Sequence, residues 1–108
     1  MASKLEKDFQ SKLIKKIEAL LPGCIVTKVD SFQGIPDLLV LYHDKYALLE
    51  CKRVKNSKRQ PNQDYYVEFI NSWGAYSSFI YPENEEMVLN ELQRALQPKR
   101  KTRVSKRK

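Results

Sequence analysis

Two carboxylates and an ammonium group fall at a spacing suited to phosphate chemistry. Asp37 precedes one apolar run, residues 38–41, while Glu50 and Lys52 follow a second, residues 46–49. Tyr42-His43-Asp44-Lys45 separates the two runs. With a turn centred between His43 and Asp44, Leu41 faces Tyr46, Leu39 faces Leu48 and Asp37 faces Glu50. Directly opposed residues project from one sheet face with Cβ atoms roughly 4.5–5.5 Å apart. Lys52, two residues beyond Glu50, points to that face as well. A slip of one residue would send Asp37 to the opposite face. Two carboxylates this close repel, pushing one pKa upward. A hard divalent cation such as Mg²⁺ or Mn²⁺ removes the conflict by sharing both as oxygen ligands. Lys52 beside it would orient or help deprotonate a water and steady a phosphate's charge. The alternative on geometry alone is an inert, solvated salt-bridge cluster at a strand end.

The elements that must hold these groups follow from periodicity. Leu5, Phe9, Leu13, Ile17 and Leu20 make an apolar stripe that predicts a helix over residues 4–21, stopped by Pro22-Gly23. Ser3 and Glu6 fit an S-x-x-E capping box at its start. Residues 24–30 are β-branched and short, a strand, and Gly34 and Pro36 punctuate the loop after it. Neither apolar run alternates with polar residues, so both hairpin strands are expected to be buried on both faces, mid-sheet. Pro61 suits a first helical position, with Tyr66, Phe69, Ile70 and Trp73 facing inward and Gly74 ending the helix. Residues 75–81 form a last strand closed by Pro82, and residues 84–96 a helix with Val88, Leu92 and Leu96 inward. The order α-β-β-β-α-β-α predicts an α/β architecture, helices covering a small mixed sheet.

Charge partitions sharply. The chain has 108 residues and a formal net charge of +7. Residues 98–108 hold seven Lys/Arg and no acid, leaving 13 basic and 13 acidic groups in residues 1–97. The expectation is one neutral domain over 1–97 and a basic flexible tail over 98–108. No window approaches ~18 consecutive apolar residues, so no membrane partner is expected. The N-terminus lacks a secretory h-region, and Cys24 and Cys51 make neither a CxxC pair nor a disulfide framework, so a cytoplasmic setting is the expectation. PKRK at 98–101 resembles a nuclear import signal, relevant only in a eukaryotic host.

Gly34-Ile35-Pro36-Asp37, then twelve residues, then Glu50-Cys51-Lys52 resembles the signature of the PD-(D/E)XK nuclease superfamily. Glu6 with Phe9-Gln10, Gln63 opening the next helix and Gly74 before the last strand resemble its VRR-NUC branch, related to Holliday junction resolvases. The resemblance spans residues 3–81. It implies a restriction-endonuclease-like fold and Mg²⁺-dependent phosphodiester hydrolysis on DNA, with Mn²⁺ as a substitute. Asp37, Glu50 and the backbone carbonyl of Cys51 would be metal ligands, and Lys52 the group acting on water or the transition state. Gln63 would face the site. Glu6 is either a further ligand or the helix cap. Ser31 stands where some resolvases carry a catalytic serine, though a hydroxyl satisfying a loop turn explains it as well.

Other chemistries lack parts: His43 is the single histidine, and the chain has no GxSxG motif and no Gly-rich phosphate loop, so no nucleotide cofactor is expected. Phe79 with Tyr66, Phe69 and Trp73 reads as core, whereas Tyr42 and Tyr65 are freer to stack on unpaired bases. Arg53, Lys55, Lys58 and Arg59 lie between the motif and the next helix, placed to follow a DNA backbone, and Lys99, Arg100, Lys101 and Arg103 add phosphate contacts from the tail. The expected activity is an endonuclease on branched DNA. Symmetric cutting of a four-way junction needs two sites, hence a homodimer. The competing reading is a non-catalytic nucleic-acid-binding module on the same fold.

Overall fold

The computed structural model describes residues 4–53 and 62–97. Its elements are α1 (Lys4–Leu20), β1 (Ile25–Lys28), β2 (Leu38–Tyr42), β3 (Lys45–Cys51), α2 (Gln63–Ser72), β4 (Tyr76–Ile80), a 3₁₀ turn (Pro82–Asn84) and α3 (Glu85–Leu96). This is the expected order. The strands form one mixed sheet in chain order, antiparallel from β1 to β3 and parallel between β3 and β4. An antiparallel pair needs only a short turn, here two residues, with His43 in the left-handed region at φ 56°. The parallel pair needs a crossover, and α2 supplies it.

One face of the sheet carries the main core. Leu38 and Val40 of β2, Ala47, Leu49 and Cys51 of β3, and Ile80 of β4 pack against Leu13, Ile17 and Leu21 on one side. Val88, Leu92 and Leu96 of α3, the residues expected inward, complete that core. Burying each large aliphatic side chain contributes about 1.5–3 kcal/mol. The buried stripe of α1 runs Gln10, Leu13, Ile17, with Phe9 half-buried beside it.

The opposite face departs from expectation twice. Toward β3 and β4, α2 buries Gln63, Val67 and Ile70, not Phe69 and Trp73, which are 41% and 59% exposed. Apolar side chains cover more than half of this helix's circumference, so spacing alone does not choose the inward face. The compact, branched Val67 and Ile70 fit against the strands, and among the described residues no second layer lies outside to cover the rings. Second, among the strands α2 packs mainly on β3 and β4. Leu41 and Ile25, paired directly across β1 and β2, stay exposed on the uncovered half. The third strand is therefore buried on both faces over most of its length, and the second on one.

Asn71 clamps the end of α2 to the start of β4. Its Nδ2 donates to the carbonyls of Val67 (3.0 Å) and Ser77 (2.7 Å), and its Oδ1 accepts the Ser77 N–H at 3.0 Å. Gly74 follows at φ 91°, a left-handed conformation open to glycine without strain. Among the described residues no helix is long and apolar enough to cross a membrane. Pro61 and the expected tail over 98–108 lie outside the described residues.

Candidate active site

The hairpin pairs Leu38 with Leu49 through to Tyr42 with Lys45, the register in which Asp37 and Glu50 are the next opposed pair. Asp37 is held at both ends. Its carbonyl accepts the Val29 N–H at 2.7 Å, extending the β1–β2 pairing. Its Oδ2 accepts the Cys51 N–H at 3.0 Å. On the other side of the same strand end, the Lys52 N–H donates to the Ile80 carbonyl at 2.9 Å. The backbone carrying Glu50, Cys51 and Lys52 is thus fixed from both flanks.

Glu50 is 3% exposed, and Lys52 and Gln63 are each 7%. A buried ionised carboxylate is tolerated only with partners, and two converge on one oxygen. Gln63 Nε2 donates to Glu50 Oε2 at 2.8 Å, and Lys52 Nζ stands 3.8 Å from it. Gln63 is the first residue of α2, so the crossover between the parallel strands returns an amide to the end of β3. The Cys51 side chain turns into the main core, leaving only its backbone at the site.

A cleft of about 500 Å³ opens beside this cluster, bordered by Asp37, Gln63, Gln10, Lys7, Lys28 and Phe32. Gly34, in the loop that forms part of its wall, sits at φ 92°, where an L side chain would be strained. Gln10 has a sequence signal, a polar residue on the buried stripe of Leu13 and Ile17. Lys7, Lys28 and Phe32 have none, because three separate segments bring them together. Ser31 is exposed in the loop, and Arg53 is exposed directly after Lys52. His43 is exposed at the far end of the hairpin, its ring edge-on to Tyr42 at 4.3 Å between centroids. Lys55, Lys58, Arg59, Lys99, Arg100, Lys101 and Arg103 lie outside the described residues. Glu6 falls within α1, but its side chain is outside what the structure describes.

By chemical type the groups at this strand end fit a hard divalent cation such as Mg²⁺. Two carboxylates, Asp37 and Glu50, and the Cys51 carbonyl are hard oxygen donors. Mg²⁺ is usually held by one or two carboxylates, with waters and substrate phosphates completing the shell. Among the described residues no group of three or more His, Cys, Asp or Glu side chains gathers, as zinc or an all-protein calcium cage would require. Thiolate chemistry at Cys24 is disfavoured as well. Burial and the nearby Glu18 charge push the Cys24 thiol pKa up, away from the reactive thiolate.

Neither a family model nor a curated protein matches the sequence. Solved structures do. One described as "VRR_NUC domain" aligns with a TM-score of 0.67 at 28% identity, over 82% of this chain and 97% of its own. Another, "VRR_NUC domain protein", has a TM-score of 0.63 at 14% identity, over 90% of this chain and 92% of its own. The second likeness is one of fold alone.

Proposed function

We propose that this chain, similar in fold to solved VRR_NUC domain structures, is a nuclease domain whose cleft hydrolyses DNA phosphodiester bonds with a divalent cation, acting on branched substrates. The observation that carries the reading is the buried Glu50, held by Gln63 at 2.8 Å and faced by Lys52 at 3.8 Å. A carboxylate and a lysine pulled out of water beside a cleft cost folding energy that a purely structural strand end need not incur. Held by Asp37, Glu50 and the Cys51 carbonyl, Mg²⁺ (or Mn²⁺ in its place) would supply Lewis-acid charge and a more acidic water.

The chain's own groups do the rest. The Cys51 N–H fixes the Asp37 carboxylate, and the Gln63 amide fixes that of Glu50. Preset geometry of this kind removes reorganisation from the reaction step. Lys52 has only donors to offer, so it holds a water through the lone pairs or shares charge with a phosphate oxygen. Lys7 and Lys28 on the cleft border attract the DNA backbone. Arg53 directly after Lys52, and the cations that sequence alone supplies at Lys55, Lys58, Arg59 and in residues 98–108, would add phosphate contacts without reading sequence.

One chain contains one such site, and symmetric cutting of a junction takes two, which supports a homodimer. The exposed Ile25 and Leu41 on the uncovered half of the sheet favour a second copy. The test is cleavage of a labelled four-way junction, a flap and a matched linear duplex with Mg²⁺. Wild type should cut the branched DNA fastest, and Asp37→Ala and Lys52→Ala should each lose that activity. If both variants cut at the wild-type rate, the assignment is wrong. Wild-type binding in EDTA with no cutting in Mg²⁺ or Mn²⁺ would make the domain a binding module.

A further inference from the structure

Five aromatic rings form an unbroken row on the surface, starting in the cleft. Phe32, on the cleft border, packs on Tyr66 at 5.2 Å between centroids. Tyr66 meets Tyr65 at 5.0 Å, Tyr65 stacks on Phe69 at 5.4 Å with 20° between planes, and Phe69 meets Trp73 at 4.8 Å. Phe32 is 50% exposed and Tyr65 55%, with Trp73 similarly open. At the far end Trp73 walls a hollow of about 220 Å³ shared with Lys45 and Tyr46. The row thus joins two hollows, each with lysine at its border.

We propose that this row is a stacking platform for unpaired bases, so that the domain selects DNA with a single-stranded arm leaving the scissile phosphate. The proposal rests on the nuclease reading above and names the substrate feature that the same cleft would recognise. Bases are favoured over a second copy of the chain on four grounds. The row is continuous with the cleft through Phe32, so a strand leaving the site on that side meets it at once. It is one ring wide, whereas a protein interface spreads over a broad patch. Its members are all aromatic, and every base presents a π face to them. Finally, the rings of Tyr65, Phe69 and Trp73 follow one another at centroid spacings of 5.4 and 4.8 Å. Both exceed the roughly 3.4 Å step of a duplex strand, so the spacing suits bases drawn apart. Asp64 and Glu68 stand on the edge of α2 away from Tyr66 by helical spacing, which puts the sugar-phosphate chain on the Tyr66 side.

The chain's single tryptophan is Trp73, so its fluorescence reports on the platform directly. The experiment titrates the full chain in EDTA, which keeps DNA intact, with oligothymidylate, blunt duplex, and the same duplex carrying a single-stranded arm. Oligothymidylate and the armed duplex should quench Trp73, and blunt duplex should not. By fluorescence anisotropy, Phe69→Leu and Trp73→Leu should each weaken armed-duplex binding by about 5- to 150-fold, the range for loss of one stacked base, and blunt-duplex binding far less. Leucine keeps apolar bulk and removes the π face, so equal binding by these variants would overturn the proposal. Equal quenching by blunt and armed DNA would overturn it as well. A wild-type dimer that Trp73→Leu converts to monomer would assign the row to a second copy instead. The two readings fail separately. Cutting by Asp37→Ala refutes the catalytic assignment whatever Trp73 does, and an unquenched Trp73 beside an inactive Asp37→Ala refutes the platform alone.

Discussion

The two faces of β3 are almost equally closed to solvent and are built on opposite physics. Ala47, Leu49 and Cys51 point into a dry core at 0–3% exposure, while Leu48, Glu50 and Lys52 point the other way at 3–8%. On the first face, burial is favourable by itself and has no direction. On the second, burial opposes the charges, and only aimed partners make it tolerable: the Gln63 amide and the Glu50–Lys52 pair. One backbone therefore does two jobs, anchoring the fold through one set of alternate residues and holding chemistry through the other. Substitutions on the two faces should separate stability from activity.

The largest separation should come from Glu50→Gln, which keeps shape and removes charge. Cleavage should fall about 10³-fold, roughly 4 kcal/mol of transition-state stabilisation, in a single-turnover assay on branched DNA. A loss under tenfold would mean that the polar face is not the chemical one. Leu49→Ala on the dry face should instead cost about 2–5 kcal/mol in urea unfolding, with activity per folded molecule kept. If activity falls much further than the folded fraction, the division of labour breaks down. Mg²⁺ offers a test without substrate. At a hundred times its Kd it should stabilise the wild type by about 2.7 kcal/mol, reversed by EDTA and absent in Glu50→Gln, as read by thermal unfolding.

The smallest effect concerns a polar group at the edge of the dry core. Tyr76 packs against that core and donates to Glu91 Oε1 at 2.7 Å. Burial, and then the hydrogen bond to Glu91, pushes its phenol pKa well above the ordinary value. A raised folded-state pKa gives stability that is complete below the unfolded value near 10 and lost as pH rises through the folded one. Tyr76→Phe should cost about 1 kcal/mol at pH 7 and flatten the alkaline decline above pH ~10. An unchanged slope between pH 9 and 11 would show that Tyr76 does not govern it.

The sequence is legible wherever local spacing has one solution. Two unbroken apolar runs four residues apart allow a tight hairpin, so spacing alone opposes Asp37 to Glu50. Val88, Leu92 and Leu96 sit on an otherwise polar helix, and their face is unambiguous. The second helix is not, because Tyr65, Tyr66, Val67, Phe69, Ile70 and Trp73 spread over more than half of its circumference. Its inward side is set by the strands it lands on, which is tertiary information. The same cause explains Leu41. Its run reads as doubly buried, but α2 spans only half of the sheet. At the site, the hairpin residues are legible because they are local. Lys7, Lys28 and Phe32 are not, since only the folded chain makes them neighbours.

The crossover that returns Gln63 to the hairpin also sets the order in which the site assembles. A hairpin with a two-residue turn closes in roughly 1–10 μs and brings Asp37, Glu50 and Lys52 together unaided. The parallel pairing of β3 with β4, and the docking of α2 between them, must wait for closure of a longer loop. On the ribosome the same order is imposed by synthesis, from the N-terminus onward. A nascent chain paused after the hairpin would already hold the charged residues but not the amide that aims Glu50. The site would mature only once the crossover has docked, although most of its residues are among the first to meet.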